Sequence, residues 1–514
     1  MNTTIDATGA TAPAAHDTGG LGGHPRGLTT LFFTEVWERF SYYGMRALLM
    51  LYMTKALAEG GLGFDEKYAG LIYGTYTSSV FWTPLIGGWL ADKYLGARRA
   101  VFVGGCVIAL GHFSLVFDTL ANFYGGLVLI AAGTGLLKPN ISAMVGNLYA
   151  EGDERRDAGF SYFYMAVNLG AFFAPIVCGY LGQKISWHYG FAAAGVGMVL
   201  GLVQYVLGRE RLRGVGEAPA REKGVTTPKD GGDIAATKRI GDELTRAKDA
   251  DATAFVLAVV GLVVGASVGY FYGGAGFVSA LFPGVAGFFA GYIAGVVRNL
   301  GREESRRVFV ILILFAFSAV FWMSFEQAGS SLTLFADRLT RNNVAGWEFP
   351  SSWFQSVQPI FVILFAPVFA WMWIRMGRRQ PSSPAKFAYG LFFAAAAFGV
   401  VAFAATLTGA GRVSPLWLVA VYFIQTAGEL CLSPVGLSTT TKLAPARMAG
   451  LMRGVWYLSI SIGSYFAGLS AGFFDEQNEG ALVQLFGVVA LITVVAAALL
   501  AALTPMIRKL TPRT

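Results

Sequence analysis

Hydrophobic positions fall in blocks of roughly twenty residues, one after another from Leu28 to Ile507, with short polar connectors between them. An α-helix needs about 20 apolar residues to cross a bilayer, and a membrane barrel would instead show short alternating segments. The pattern predicts about fourteen spans, over 28–55, 66–91, 98–118, 121–149, 157–182, 187–208, 252–272, 275–298, 307–334, 352–376, 386–409, 415–441, 450–474 and 480–507. The expected class is an all-α polytopic membrane protein.

The polar segments divide the chain. Residues 1–27 are rich in Gly, Ala and Thr, with neither the basic start nor the apolar core of a cleavable leader, and are read as a flexible cytoplasmic tail. A six-helix bundle is expected over 28–208. Residues 209–251 mix both charge signs without an apolar face, which reads as a cytoplasmic linker with some helix near its C-terminal end. A hairpin inserted at 252–299 is rich in Gly, Ala, Val and Phe, a composition that favours close helix packing, and is expected to be peripheral. A second six-helix bundle follows over 307–507, then a short tail, 508–514.

Orientation follows from Lys and Arg in the short loops. Alternate connectors hold Lys93, Arg98 and Arg99; Arg155 and Arg156; the 209–251 segment; Arg298 to Arg307; Arg375, Arg378 and Arg379; Arg447; and Arg508 to Arg513. The intervening ones carry Asp118, Glu348, Asp475, Glu476 and Glu479. Both termini are therefore expected in the cytoplasm, in a plasma (inner) membrane protein.

Composition agrees. Of 514 residues 55% are hydrophobic and 14% charged, against about 25% charged in soluble domains. The net charge of +8 sits in the loops and does not argue for nucleic acid. Cys106, Cys178 and Cys431 all fall in apolar blocks, so no disulfide framework, metal site or cofactor follows from them.

Some charges lie where the membrane normally excludes them, at about 2.5–3.5 kcal/mol each on insertion scales, and by default these mark a pathway. They are the stretch EVWERFSYYGMR at 35–46, Lys138, Glu326 and Glu429; Asp337, about 16 Å beyond Glu326 along a helix, falls near the outer boundary. At about 100° per residue, Glu35, Glu38, Arg39, Tyr42, Tyr43 and Arg46 share an arc of about 140°, with Trp37 and Ser41 outside it. One face of the first span is thus a polar stripe about 16 Å long, which should line a cavity, with Arg39 neutralising Glu35 one turn away and Glu38 beside it. A buried ion-pair network that only ties helices together is the bland reading; the surplus of charge on other spans weighs against it. Lys138, a lone ammonium, needs an anion. Histidines 16, 24, 112 and 188 suggest no proton role.

EVWERFSYYG at 35–44 resembles the ExxERFxYYG signature of the proton-dependent oligopeptide transporter (POT) family of the major facilitator superfamily. GGWLADKYLGARR (87–99), GTGLLKPNISAMVG (133–146), FSYFYMAVNLGAFFAP (160–175), FEQAGSSLTLFADR (325–338), SSWFQSVQPIFVILFAP (351–367) and GELCLSPVGLSTTTKLAPARMAGLMRGVWYLS (428–459) are similar to further family blocks in the same order. The resemblance implies a major facilitator fold, two six-helix bundles plus the inserted hairpin, working as a proton-coupled symporter that imports di- and tripeptides, and the chain is expected to be a monomer in the bilayer. It further implies that Arg46 and Lys138 lie near the peptide carboxylate and Glu429 near its amino group. Tyr42, Tyr43 and Tyr76 resemble pocket phenols, Asn168 a backbone contact and Trp456 a pocket wall, with Gln358 and Ser433 also among the substrate-binding positions. Glu35, Glu38 and Arg39 resemble the proton-coupling group, and Glu326 a member of a switchable charge pair, expected to work in relation to Lys138. Two departures stand out: Gln358 precedes Pro359 where the family usually has Asn, and Gln425 replaces an aromatic one turn before Glu429.

Rival readings are a transporter of nitrate or another small solute on the same fold, against which Glu429 speaks, and a membrane peptidase. The chain has no HExxH, GxSxG or paired intramembrane aspartate motif, so it is not expected to be an enzyme.

Overall fold

The computed structural model describes residues 17–150, 152–217, 234–298, 300–344, 346–445 and 448–510. Its helices are α1 (Arg26–Thr54), α2 (Glu66–Leu90), α3 (Ala97–Ser114), α4 (Leu120–Asn147), α5 (Arg155–Lys184), α6 (Trp187–Leu207), α7 (Ile234–Tyr272), α8 (Phe277–Val297), α9 (Arg302–Phe325), α10 (Ser331–Arg338), α11 (Val357–Met376), α12 (Ser383–Ala405), α13 (Leu416–Leu443), α14 (Ala449–Ala471) and α15 (Glu479–Leu510). A two-residue ribbon, Asn343–Val344 against Trp347–Glu348, is the β-structure among the described residues. The fourteen expected spans are all present as helices, α9 and α10 together making one of them. Ten helices or helix pairs are apolar and long enough to cross a membrane. Missing from those ten, among the described residues, are α1, α2, α3 and α14; α1 carries the charged stripe, α2 a run of hydroxyls and α3 two arginines in its first turn.

By contact the chain forms two compact units. The first comprises Met1–Pro219, Ala316–Ser438 and Gly454–Thr504; the second, Ala220–Phe315, Thr439–Arg453 and Pro505–Thr514. In the second, α7 and α8 pack as the expected hairpin. A side chain on Gly261 or Gly287 would run into the opposing backbone, so only glycine permits this approach.

Local chemistry sets the helix starts in the first unit. Asp65 Oδ1 accepts from Tyr68 N at 2.8 Å to cap α2, and Thr119 Oγ1 accepts from Asn122 N at 3.1 Å to cap α4. Trp37 and Phe40, on the apolar side of α1, lie over Gly201 and Gly197 of α6, and that packing turns the polar stripe away from α6. At the Lys55 end of α1, ion pairs join early and late helices: Arg338 Nη1 to Glu66 at 2.7 Å and to Glu476 at 3.3 Å, Lys184 Nζ to Glu348 at 3.1 Å and Lys55 Nζ to Asp337 at 3.8 Å.

Two polar segments are more built than their composition suggests. The segment after α6 does have an apolar side: Leu212 and Val215 are buried in a core with Leu28, Met144 and Tyr205. The C-terminal part of the 209–251 segment is helical, because α7 begins at Ile234. Within the N-terminal tail, residues 1–16 lie outside the described residues, while His24 is buried, its Nδ1 2.8 Å from Tyr149 Oη and its ring edge-on to Tyr162. Arg155 Nη1 donates to the Asp17 and Gly23 carbonyls at 3.3 and 3.4 Å, completing a strap across the α4–α5 connection.

Candidate functional site

The stripe on α1 is buried, as its 140° arc requires, and it divides into two sets. Glu35, Glu38 and Arg39 form the first: Arg39 Nε donates to Glu35 Oε1 at 2.7 Å and lies 3.1 Å from Glu38 Oε2. One guanidinium thus faces two carboxylates. Glu35 Oε2 and both Glu38 oxygens accept no hydrogen bond from any described group. A carboxylate without donors in a buried position loses its hydration without replacement.

Arg46 anchors the second set. Its Nη2 donates to Glu326 Oε2 at 2.6 Å and its Nε to Tyr73 Oη at 2.7 Å. Glu326 reaches it because the ninth span is broken: α9 stops at Phe325, residues 326–329 form a tight turn, and α10 starts at Ser331. Gly329 in that turn faces the Tyr73 hydroxyl so closely that a methyl group there would collide with it and crowd Arg46 Nε.

Between these sets lies a cavity of about 150 Å³. Its lining includes Arg39, Tyr42, Tyr43, Arg46, Lys138, Asn168, Glu326, Gln358 and Glu429, nine of the sequence-predicted residues, from helices far apart in the chain. Gln358 Nε2 donates to Glu429 Oε2 at 2.6 Å, so this carboxylate, within an unbroken α13, is held by a side-chain amide. Asn168 Nδ2 turns back to the Tyr164 carbonyl at 3.0 Å.

Several predicted residues sit in arrangements that the sequence did not specify. Glu326 pairs with Arg46, not with Lys138. Among the described residues no carboxylate pairs with Lys138; its Nζ sits 4.2 Å from the centre of the Phe81 ring, a cation–π contact. Trp456 is buried edge-on to Phe387, over Gly436, and does not line the cavity. Tyr76 is buried beside it without lining it, Ser433 lies one turn beyond Glu429 outside the lining, and Glu35 and Glu38 sit behind Arg39.

Eleven further residues line the cavity without having been predicted, among them the polar or aromatic Phe81, Tyr164, Trp322, Phe325, Gln355 and Tyr422. Tyr73, which holds Arg46, was missed as well. It precedes Tyr76 by one helical turn, and that spacing was the available signal.

Comparison with known proteins agrees with this architecture. The POT family model matches residues 98–221 and 291–489. The chain belongs to the POT family. It is 39% identical over 501 residues to the peptide transporter YePEPT of Yersinia enterocolitica, covering 95% of each chain, and 35% identical to a di-/tripeptide transporter of Lactococcus lactis, over 91% of this chain and 94% of that one. It also resembles an uncharacterized transporter, YclF, of Bacillus subtilis at 41% identity, with 95% and 96% covered. Among solved structures, a peptide transporter POT in complex with sulfate superposes with a TM-score of 0.81 at 40% identity, over 99% of this chain and 100% of that one. A single-residue mutant of a peptide transporter POT in complex with alafosfalin gives 0.80 at 40% identity, over the same shares. The fold is thus the major facilitator fold, and the protein is a membrane-embedded transporter of the peptide-transporter family.

Proposed function

We propose that the protein is a proton-coupled symporter that imports di- and tripeptides by alternating access, with both termini in the cytoplasm. The observation that carries this is the charge layout of one cavity. Arg39, Arg46 and Lys138 come from α1 and α4, Glu326 and Glu429 from the later helices, and Lys138 has no carboxylate partner among the described residues. A zwitterionic peptide needs a cation for one end and an anion for the other. Its carboxylate meets Lys138 and Arg46; its amino group meets Glu429, displacing the Gln358 amide.

Bridging of these two sides by one ligand draws them together, the basis of alternating access at a midplane site. Arrival of the peptide carboxylate at Arg46 competes with Glu326, loosening the bond between α1 and the broken ninth span. Proton uptake enters through Glu35 and Glu38. Neutralising one of them leaves Arg39 matched by a single carboxylate and removes the excess negative charge from the buried set. The proton set and the peptide set share one helix face, and movement of α1 couples them.

Uptake of labelled dialanine into proteoliposomes, with an inward proton gradient and a negative interior, tests the reading. Uptake indifferent to both gradients would sink the symport mechanism. Transport of nitrate or a similar anion is the second reading; Glu429 opposes it, and competition between dipeptides and nitrate in the same assay separates the two.

A further inference from the structure

A second cavity, of about 770 Å³, opens at the end of the first six helices where α3 begins and α6 has just ended. It has no part in the transport reading above. Its mouth carries Arg98, Arg99 and Arg209, and its walls carry Phe102, Val103 and Val206, which are 41%, 40% and 40% exposed. The two kinds of residue are segregated. The arginines sit at helix ends, where a spanning helix meets the headgroup layer, and the apolar residues lie one turn deeper, where a spanning helix meets acyl chains.

Its frame is fixed by backbone. Arg98 N donates to the Gly216 carbonyl at 2.8 Å, and the Tyr205 hydroxyl donates to the Arg98 carbonyl at 3.1 Å. These bonds tie α3, α6 and the segment after α6 around the cavity. One acidic residue enters the lining: Glu217 lies 3.6 Å from Arg98 and is mostly exposed. Among the described residues, Arg209 has a single ion-pair contact, at 3.8 Å to Glu210, which is held more closely by Arg213. Arg99 is exposed, and no ion pair to it is found among the described residues. Three guanidinium groups against one lining carboxylate leave an excess of positive charge over an apolar groove. Farther along the same two helices, Leu110 and Val203 are also exposed, at 62% and 50%.

We propose that this cavity is a binding site for the headgroup of an anionic phospholipid, with its phosphate held by Arg99 and Arg209 and its acyl chains lying on Phe102, Val103 and Val206. Planar guanidinium forks suit phosphate oxygens, and basic pockets between spanning helices are suited to acidic headgroups. A free phosphate would satisfy the arginines and leave the apolar walls unused.

Native mass spectrometry of the full-length protein, titrated with phosphatidylglycerol or phosphatidylcholine in detergent, tests the site. Each basic residue near an acidic lipid contributes about a factor of five, so the double variant Arg99→Gln/Arg209→Gln should bind phosphatidylglycerol about thirtyfold more weakly. Phosphatidylcholine binding should be equal in both proteins. Lys67→Gln/Arg341→Gln, which removes two exposed charges elsewhere, should retain wild-type binding. Equal weakening in the two double variants would reduce the effect to general charge, and no weakening in the first would remove the site. Displacement of the lipid by millimolar inorganic phosphate would make it a phosphate site instead, overturning the lipid assignment. Unfolding temperatures in lipid-free detergent, expected to match wild type, establish that the variants are folded.

Discussion

Arg46 and Glu326 lie 280 positions apart in sequence and meet across a 2.6 Å hydrogen bond, with both side chains more than nine-tenths buried. Removing one partner from a buried pair strands the other charge, at about 3–5 kcal/mol. We therefore expect Arg46→Ala and Glu326→Ala each to lower the unfolding temperature and abolish dipeptide uptake, while the double variant is less destabilised than the sum of the two. A double-mutant cycle by thermal unfolding in detergent reads the coupling; strict additivity would show that the pair contributes nothing to stability.

Gly329 leaves room for the Tyr73 hydroxyl, which receives the Arg46 Nε bond. Gly329→Ala should cost about 1–3 kcal/mol through overpacking and reduce uptake. Tyr73→Phe removes the colliding oxygen and should restore part of the lost stability in the Gly329→Ala background. If the second change worsens the first, the collision is not the cause.

Glu38 accepts no hydrogen bond and shares Arg39 with Glu35. Glu38→Gln preserves shape and removes the titrating group. The expected outcome is dialanine counterflow near the wild-type rate with gradient-driven uptake lost. Loss of both activities would assign Glu38 a structural role.

Gln358 Nε2 donates to Glu429 Oε2 at 2.6 Å, the bond that a peptide amine would displace in the proposed binding mode. A hydrogen bond to a charged group contributes about 1.5–3 kcal/mol. Gln358→Ala should widen the preference for dialanine over its N-acetylated form by about tenfold or more. An unchanged ratio of the two inhibition constants would separate Glu429 from amine recognition.

Burial, and then the nearby Arg155 cation, hold the His24 imidazole below its ordinary range, with Asp153 opposing. The neutral ring is therefore the form that the folded strap favours. Strap stability is complete above the ordinary histidine value of about 6.5 and declines as pH falls below it, toward the lower folded-state value. Hydrogen exchange at residues 17–25, corrected for intrinsic rates, should show protection at pH 7.5 that weakens at pH 5. His24→Phe, which keeps the ring packing against Tyr162, should flatten that dependence; an unaltered profile would place the switch elsewhere.

Helix geometry and hydrophobic period alone determined the spans, the polar stripe on α1 and the Arg39–Glu35 contact, because all three depend on residues within a few turns of one another. Glu326, Lys138 and Glu429 were recognisable as exceptional since charge in an apolar helix is costly wherever that helix packs. Their partners were not. The pairing of Glu326 with Arg46 depends on a helix break at 326–329 and on a glycine that admits Tyr73, and Lys138 finds an aromatic ring where an anion was expected. Trp456 looked like a pocket wall from its motif, yet the way α13 and α14 pack turns it toward Phe387. Likewise His24, uninformative in a polar tail, acquires a role only when the α4–α5 connection supplies Tyr149 and Arg155. Sequence determines what each helix presents on each face; tertiary packing decides which faces meet, since that choice belongs to residues hundreds of positions apart.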